Sequence, residues 1–273
     1  MTHAAPPVQV PVGEVVIAAY RSVFGRFGLA LELGWLSLLI LLFGFVLPDL
    51  ALHYLVPPAA AASEAPVLDI DDLGNIGEFI IGIFALSAFA VRWYQLMLLA
   101  DPRALSFGAA LRAWLRFAAY GLAILALWTG FYVAAHVTNL SAPEGADGII
   151  VGEAVVAASL FVGVTRLSLL FPAAAYGAPL GLMAAWQAMS GNVWRLVGAY
   201  ILALLPLLLT NVLIIGAIEE LSFADPTEAS LAAAPLGYFL LGGVSQAVTG
   251  FVTVALIASI ASEFYRRLAL PRE

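Results

Sequence analysis

Six long apolar runs divide this chain, and positive charge stands at only every second junction between them. The runs are Phe24–Leu47, Ile76–Ala100, Phe117–Val137, Ile149–Phe171, Leu196–Ile218 and Pro235–Ser262. A helix needs about 20 apolar residues to cross about 30 Å of hydrocarbon, so each run is long enough to span a bilayer. Arg21 and Arg26 open the first run. Arg92, Arg103, Arg112 and Arg116 gather around the second-to-third junction, Arg166 and Arg195 around the fourth-to-fifth, and Arg266, Arg267 and Arg272 follow the sixth. The other three junctions hold no Arg or Lys and most of the carboxylates. Positive charge is retained on the cytoplasmic side during insertion, which predicts six passes with both termini inside.

Composition agrees with that constraint. The chain is 63% hydrophobic and 11% charged, against roughly 25% charged in average globular usage. Its net charge of -7 conceals a segregation by face: acidic outer loops oppose an arginine-rich inner face suited to anionic headgroups. Nucleic-acid binding needs a basic, soluble surface, which this pattern excludes. With no Cys, thiol catalysis, disulfides and thiolate metal sites are excluded too. All 11 basic residues are Arg on an Ala-rich background, which points to a GC-rich bacterial gene. Met1–Val10 lacks the basic start of a cleavable signal and reads as a short disordered tail.

The expected fold is all-α, a polytopic membrane helical bundle of six transmembrane helices in three hairpins, forming a single domain over residues 11–273. No alternating ten-residue segments favour a barrel. The outer loops, 48–75, 138–148 and 219–234, are Pro/Ala/Asp-rich connectors. On the inner side a short amphipathic segment precedes each odd-numbered span: Pro11–Phe24, Ser106–Phe117 and Pro179–Ser190, the last closed by Gly191-Asn192. Such cytoplasmic interfacial helices lie in the membrane plane with basic residues toward headgroups. Arg112 and Arg116, at i and i+4, share a helical face and with Arg195 are the candidate headgroup contacts. The unit of interfacial helix, span, acidic loop and returning span recurs as possible repeats 11–100, 106–173 and 179–267.

Charges inside the spans are the candidate functional residues. The uncharged core of the second span runs only from Phe79 to Val91, between Glu78 and Arg92, and that of the fourth only from Ala154 to Thr165, between Glu153 and Arg166. At 1.5 Å per residue these cores reach about 20 Å, short of the hydrocarbon thickness. Glu32 lies within the first span. One reading pairs Glu32 with Arg92 and Arg166 as an intramembrane cluster, with a surplus positive charge for a small anion or headgroup. The other lets both arginines snorkel to the headgroups, helped by Trp93 and Tyr94 in an aromatic belt. Pro206 predicts a kink in the fifth span, with Thr210 and Asn211 placed to satisfy freed groups or line a cavity. Ser245 and Thr249, with Gly243, Ala247 and Gly250, predict close helix packing in the sixth.

Catalytic patterns are missing from the sequence. His3, His53 and His136 have no metal-ligand spacing, and in Asp69, Asp71, Asp72, Gly74 the residue Leu73 takes a position that a calcium loop gives to a ligand. No phosphate loop, nucleophile elbow or two-His zinc helix occurs. Neither an enzyme nor a cofactor is expected.

The stretches Phe89-Ala90-Val91-Arg92-Trp93, Arg166-Leu167-Ser168-Leu169-Leu170-Phe171-Pro172 and Gly191-Asn192-Val193-Trp194-Arg195-Leu196 together resemble uncharacterised bacterial six-helix membrane proteins. That family is similar to the membrane region fused to some glycerophosphodiester phosphodiesterases. The resemblance implies location and architecture. It implies no phosphodiesterase activity, because the catalytic domain has no counterpart here. Where members carry Trp-His-Arg, this chain has Trp93-Tyr94-Gln95, which removes an imidazole and a positive charge. The expectation is therefore an inner-membrane scaffold, accessory or lipid-associated protein, with anionic lipids and a membrane protein as partners. The alternative is a small-molecule or anion transporter using Glu32, Arg92 and Arg166.

Overall fold

The computed structural model of the protein describes residues 9–55, 70–99, 106–140, 147–178, 180–222 and 236–270. They form α1 (Val12–Phe24), α2 (Phe27–Leu55), α3 (Ile70–Leu99), α4 (Phe107–Leu140), α5 (Asp147–Leu167), α6 (Leu170–Tyr176), α7 (Leu182–Ala188), α8 (Val193–Ser222) and α9 (Leu236–Leu268). No strand occurs among the described residues. Six helical stretches are long and apolar enough to cross a membrane: Phe27–Gly44, Gly82–Leu99, Gly108–Phe131, Val155–Tyr176, Val193–Ile218 and Leu236–Leu268. The fold is an all-α membrane bundle. The expected outer loops lie largely outside the described residues, as do the side chains of Glu78, Glu153, His53 and His136.

Local chemistry sets where the helices break. Gly25 separates α1 from α2; its N–H reaches the Arg21 carbonyl at 3.0 Å, and a Cβ there would press on that oxygen. Pro172 separates α5 from α6. Having no N–H, it cannot bond the Ser168 carbonyl, and its ring would clash with that group in a continuous helix. The chain responds with two tight turns: Ser168 N–H reaches Thr165 O and Phe171 N–H reaches Ser168 O, each at 3.2 Å. Gly177 (φ 86°) and Gly191 (φ 78°) are left-handed and close the turns after α6 and α7. Two expected interfacial segments are separate helices, α1 and α7. Ser106–Phe117 is not, because nothing between Phe107 and Leu140 interrupts the ladder, so it runs straight into the span as α4.

The described helices group into two compact units. The first comprises Met1–Ala19, Val91–Tyr200 and Ala258–Glu273. Within it α4 packs on α5 and α6, and α5 on α7. Phe171 is its aromatic hub, with Phe117 at 4.7 Å and Tyr120 at 6.0 Å between ring centres. Trp93 and Tyr94 are buried in this unit, and Trp93 Nε1–H donates to Ser259 Oγ at 2.8 Å. They therefore line the protein core rather than an aromatic belt facing lipid.

The second unit comprises Tyr20–Ala90 and Ile201–Ile257. Phe89 and Phe251 stack at 4.2 Å beside Gly34, and Leu41, Ala85 and Ala247 form a core cluster. Its outward residues, such as Val212 and Leu213, are exposed and apolar, as hydrocarbon surroundings require.

Candidate functional site: an arginine-bearing end of the first unit

Three arginines tie the first unit together. Gly191 turns the chain so that Asn192 is buried, and Asn192 Oδ1 accepts the Val10 N–H at 3.1 Å. Arg195, one helical turn on, donates to Val10 O at 3.2 Å and to Gln9 Oε1 at 2.7 Å. Gln9 and Val10, the end of the segment read as a tail, are thus held in place; residues 1–8 lie outside the described residues. At the end of α9, Arg267 Nε meets Glu263 at 2.8 Å while its Nη1 lies 3.4 Å from Glu14 of α1. Arg266 bonds Glu263 at 3.0 Å and also donates to the Met97 carbonyl.

The remaining candidate arginines are placed differently. Arg112 and Arg116 are exposed on one face of α4, with no ion pair among the described residues. Arg92, in α3, is half-buried. Arg166, in the last turn of α5, is half-buried with its guanidinium 4.4 Å from the centre of the Trp186 ring on α7. Its Nε is hidden from solvent and bonds to nothing, and the same holds for Ser168 Oγ in the turn that Pro172 imposes. Glu32 belongs to the second unit, where it is exposed on α2 and forms no ion pair among the described residues.

Asn192, Ser168 and Trp186 were not read from sequence as candidate functional residues. Gly191-Asn192 read as a helix terminator, which it is, but Asn192 also caps the N-terminal segment. Pro172, four residues after Ser168, was the available signal for the break. Gln95 is buried; its Nε2–H reaches Ala175 O at 3.4 Å and its Oε1 has no partner among the described residues. Among the described residues no group of three His, Asp or Glu side chains is placed to hold a metal. In chemical terms this end offers donors: guanidinium edges and a hydroxyl, which suit anions.

Compared with known proteins, the chain matches no protein-family model, no curated protein and no solved structure.

Proposed function

We propose that the chain is a non-enzymatic protein of the bacterial inner (plasma) membrane, with both termini cytoplasmic, serving as an accessory or scaffold subunit that associates with anionic lipid. The observation that carries this reading is the division of labour among the arginines. Arg195, Arg266 and Arg267 spend their donors on the protein itself, whereas Arg112 and Arg116 stand exposed one turn apart at the start of α4. Exposed basic residues at the end of a span attract anionic headgroups by about 1 kcal/mol each. The resemblance to six-helix bacterial membrane proteins supports the same location.

Trp194 is 72% exposed at this end and reports on neighbouring lipid. In vesicles, brominated phosphatidylglycerol should quench tryptophan emission more strongly than brominated phosphatidylcholine at equal mole fraction. Arg112→Gln with Arg116→Gln should shrink that preference, as should raised salt. Equal quenching by the two lipids in the unaltered protein would remove lipid association from consideration.

A further inference from the structure

We infer that Arg166, Ser168 and Trp186 form a seat for one phosphate headgroup of an anionic membrane lipid, an inference that rests on the lipid-associated reading above. The seat begins with Pro172. Its missing N–H ends α5 at Leu167 and leaves Ser168 in a turn, so a cation and a hydroxyl stand two residues apart at a helix end. Arg166 Nε and Ser168 Oγ are both hidden from solvent without a hydrogen bond, and Arg166 joins no ion pair among the described residues. A buried donor left unpaired is destabilising, and more so on a charged group. Folded proteins seldom leave such groups without a hydrogen-bond partner.

The geometry selects the chemistry. With its guanidinium carbon 4.4 Å over the Trp186 ring, Arg166 is held by the face of the ring and keeps N–H donors for a further partner. Two such donors match two oxygens of an oxyanion. The Ser168 hydroxyl, two residues further along the chain, is a further unpaired donor, and a phosphate offers more acceptor oxygens than a carboxylate does. The surroundings select the source. On α7, Leu182 is 64% and Met183 68% exposed, beside Trp186 at 38%, so the helix that carries the stacking ring also offers an apolar surface to acyl chains. A free phosphate ion would have no use for that surface.

The test uses the full chain, purified in mild detergent with phosphatidylglycerol added and read by native mass spectrometry. The expected result is one phosphatidylglycerol retained per chain at activation energies that strip phosphatidylcholine. Arg166→Gln should weaken retention about tenfold or more, and Ser168→Ala and Arg166→Lys several-fold, by loss of charge-assisted hydrogen bonds. Arg112→Gln with Arg116→Gln should leave this one lipid in place. Ser168→Ala removes a single hydroxyl and keeps the test valid should Arg166→Gln fail to fold. Retention unchanged in Ser168→Ala and both Arg166 variants overturns the seat. So does equal loss in the Arg112/Arg116 double variant, which leaves only the diffuse attraction proposed above. Inorganic phosphate at millimolar concentration displacing the lipid completely would assign the seat to a soluble anion and overturn the lipid assignment. Absence of any anionic-lipid preference in the quenching experiment would instead sink the broader reading.

Discussion

Position 34 has room for a hydrogen and nothing more. A Cβ built on Gly34 would stand 2.7 Å from the Phe89 ring and collide with Phe251, the two rings stacked at 4.2 Å in the second unit. Gly34→Ala should therefore push the stack apart and cost about 1–3 kcal/mol, the range for overpacking a filled core. Gly28, on the same helix, meets nothing within 4 Å, so Gly28→Ala should be neutral or slightly stabilising. Thermal unfolding in detergent distinguishes the two; equal midpoints would show that the rings yield freely. Single residues were the least legible scale in the sequence. Small residues in α9 signalled close approach, yet only some of them deliver it: Gly243 abuts Val46, while Gly250 faces open space. Gly34 carried no signal, because what makes it necessary is a pair of rings 55 and 217 residues further along the chain.

Elements were more legible, since hydrocarbon thickness fixes the length of a span and polarity marks its ends. The apolar runs locate the six membrane-crossing stretches, and two of the segments expected to be interfacial emerge as separate helices, α1 and α7. What could not be read were continuity and breakage, which depend on single backbone groups: α4 runs through an expected junction, and Pro172 splits an expected span. Polar pairing between helices was half legible. Thr210, read as serving the groups freed by Pro206 or lining a cavity, bonds the Pro206 carbonyl at 2.8 Å, the ordinary i−4 acceptor. Asn211 reaches across to α9, where its Oδ1 accepts from Ser245 at 2.9 Å and Thr249 at 3.0 Å. Interhelical hydrogen bonds in membranes average about 0.6 kcal/mol, because a stranded hydroxyl can turn back to its own helix. Asn211→Leu should then cost only about 1–2 kcal/mol, two bonds' worth. A double-mutant cycle with Ser245→Ala and Thr249→Ala should recover that figure as coupling. Additive effects across the cycle would mean that Asn211 acts through packing alone.

At the scale of the whole molecule, the lengths of the spans say that the chain crosses a membrane, and only the charges say which way it is threaded. The arginines stand at both ends of the chain and at two junctions, and most of the carboxylates at the other three junctions, so the threading proposed above is the one that keeps positive charge on the side of synthesis. The lipid-binding readings depend on that proposed threading, which would bring Arg112, Arg116, Arg166 and Arg195 to the leaflet where anionic lipid is concentrated. Because the chain has no Cys, each introduced thiol is the only one present, and its reactivity reports a single position. In intact cells, a membrane-impermeant maleimide should label Ala60→Cys, Ala142→Cys and Ala224→Cys, which lie in the three acidic loops. Ala104→Cys and Ala269→Cys, beside the arginines, should label only after the membrane is opened. Six crossings alternate strictly, so one outer position found shielded would break the pattern for its whole hairpin. A fully inverted pattern would keep the six crossings but move every guanidinium to the wrong leaflet, and the phosphate seat at Arg166 would lose its source of lipid.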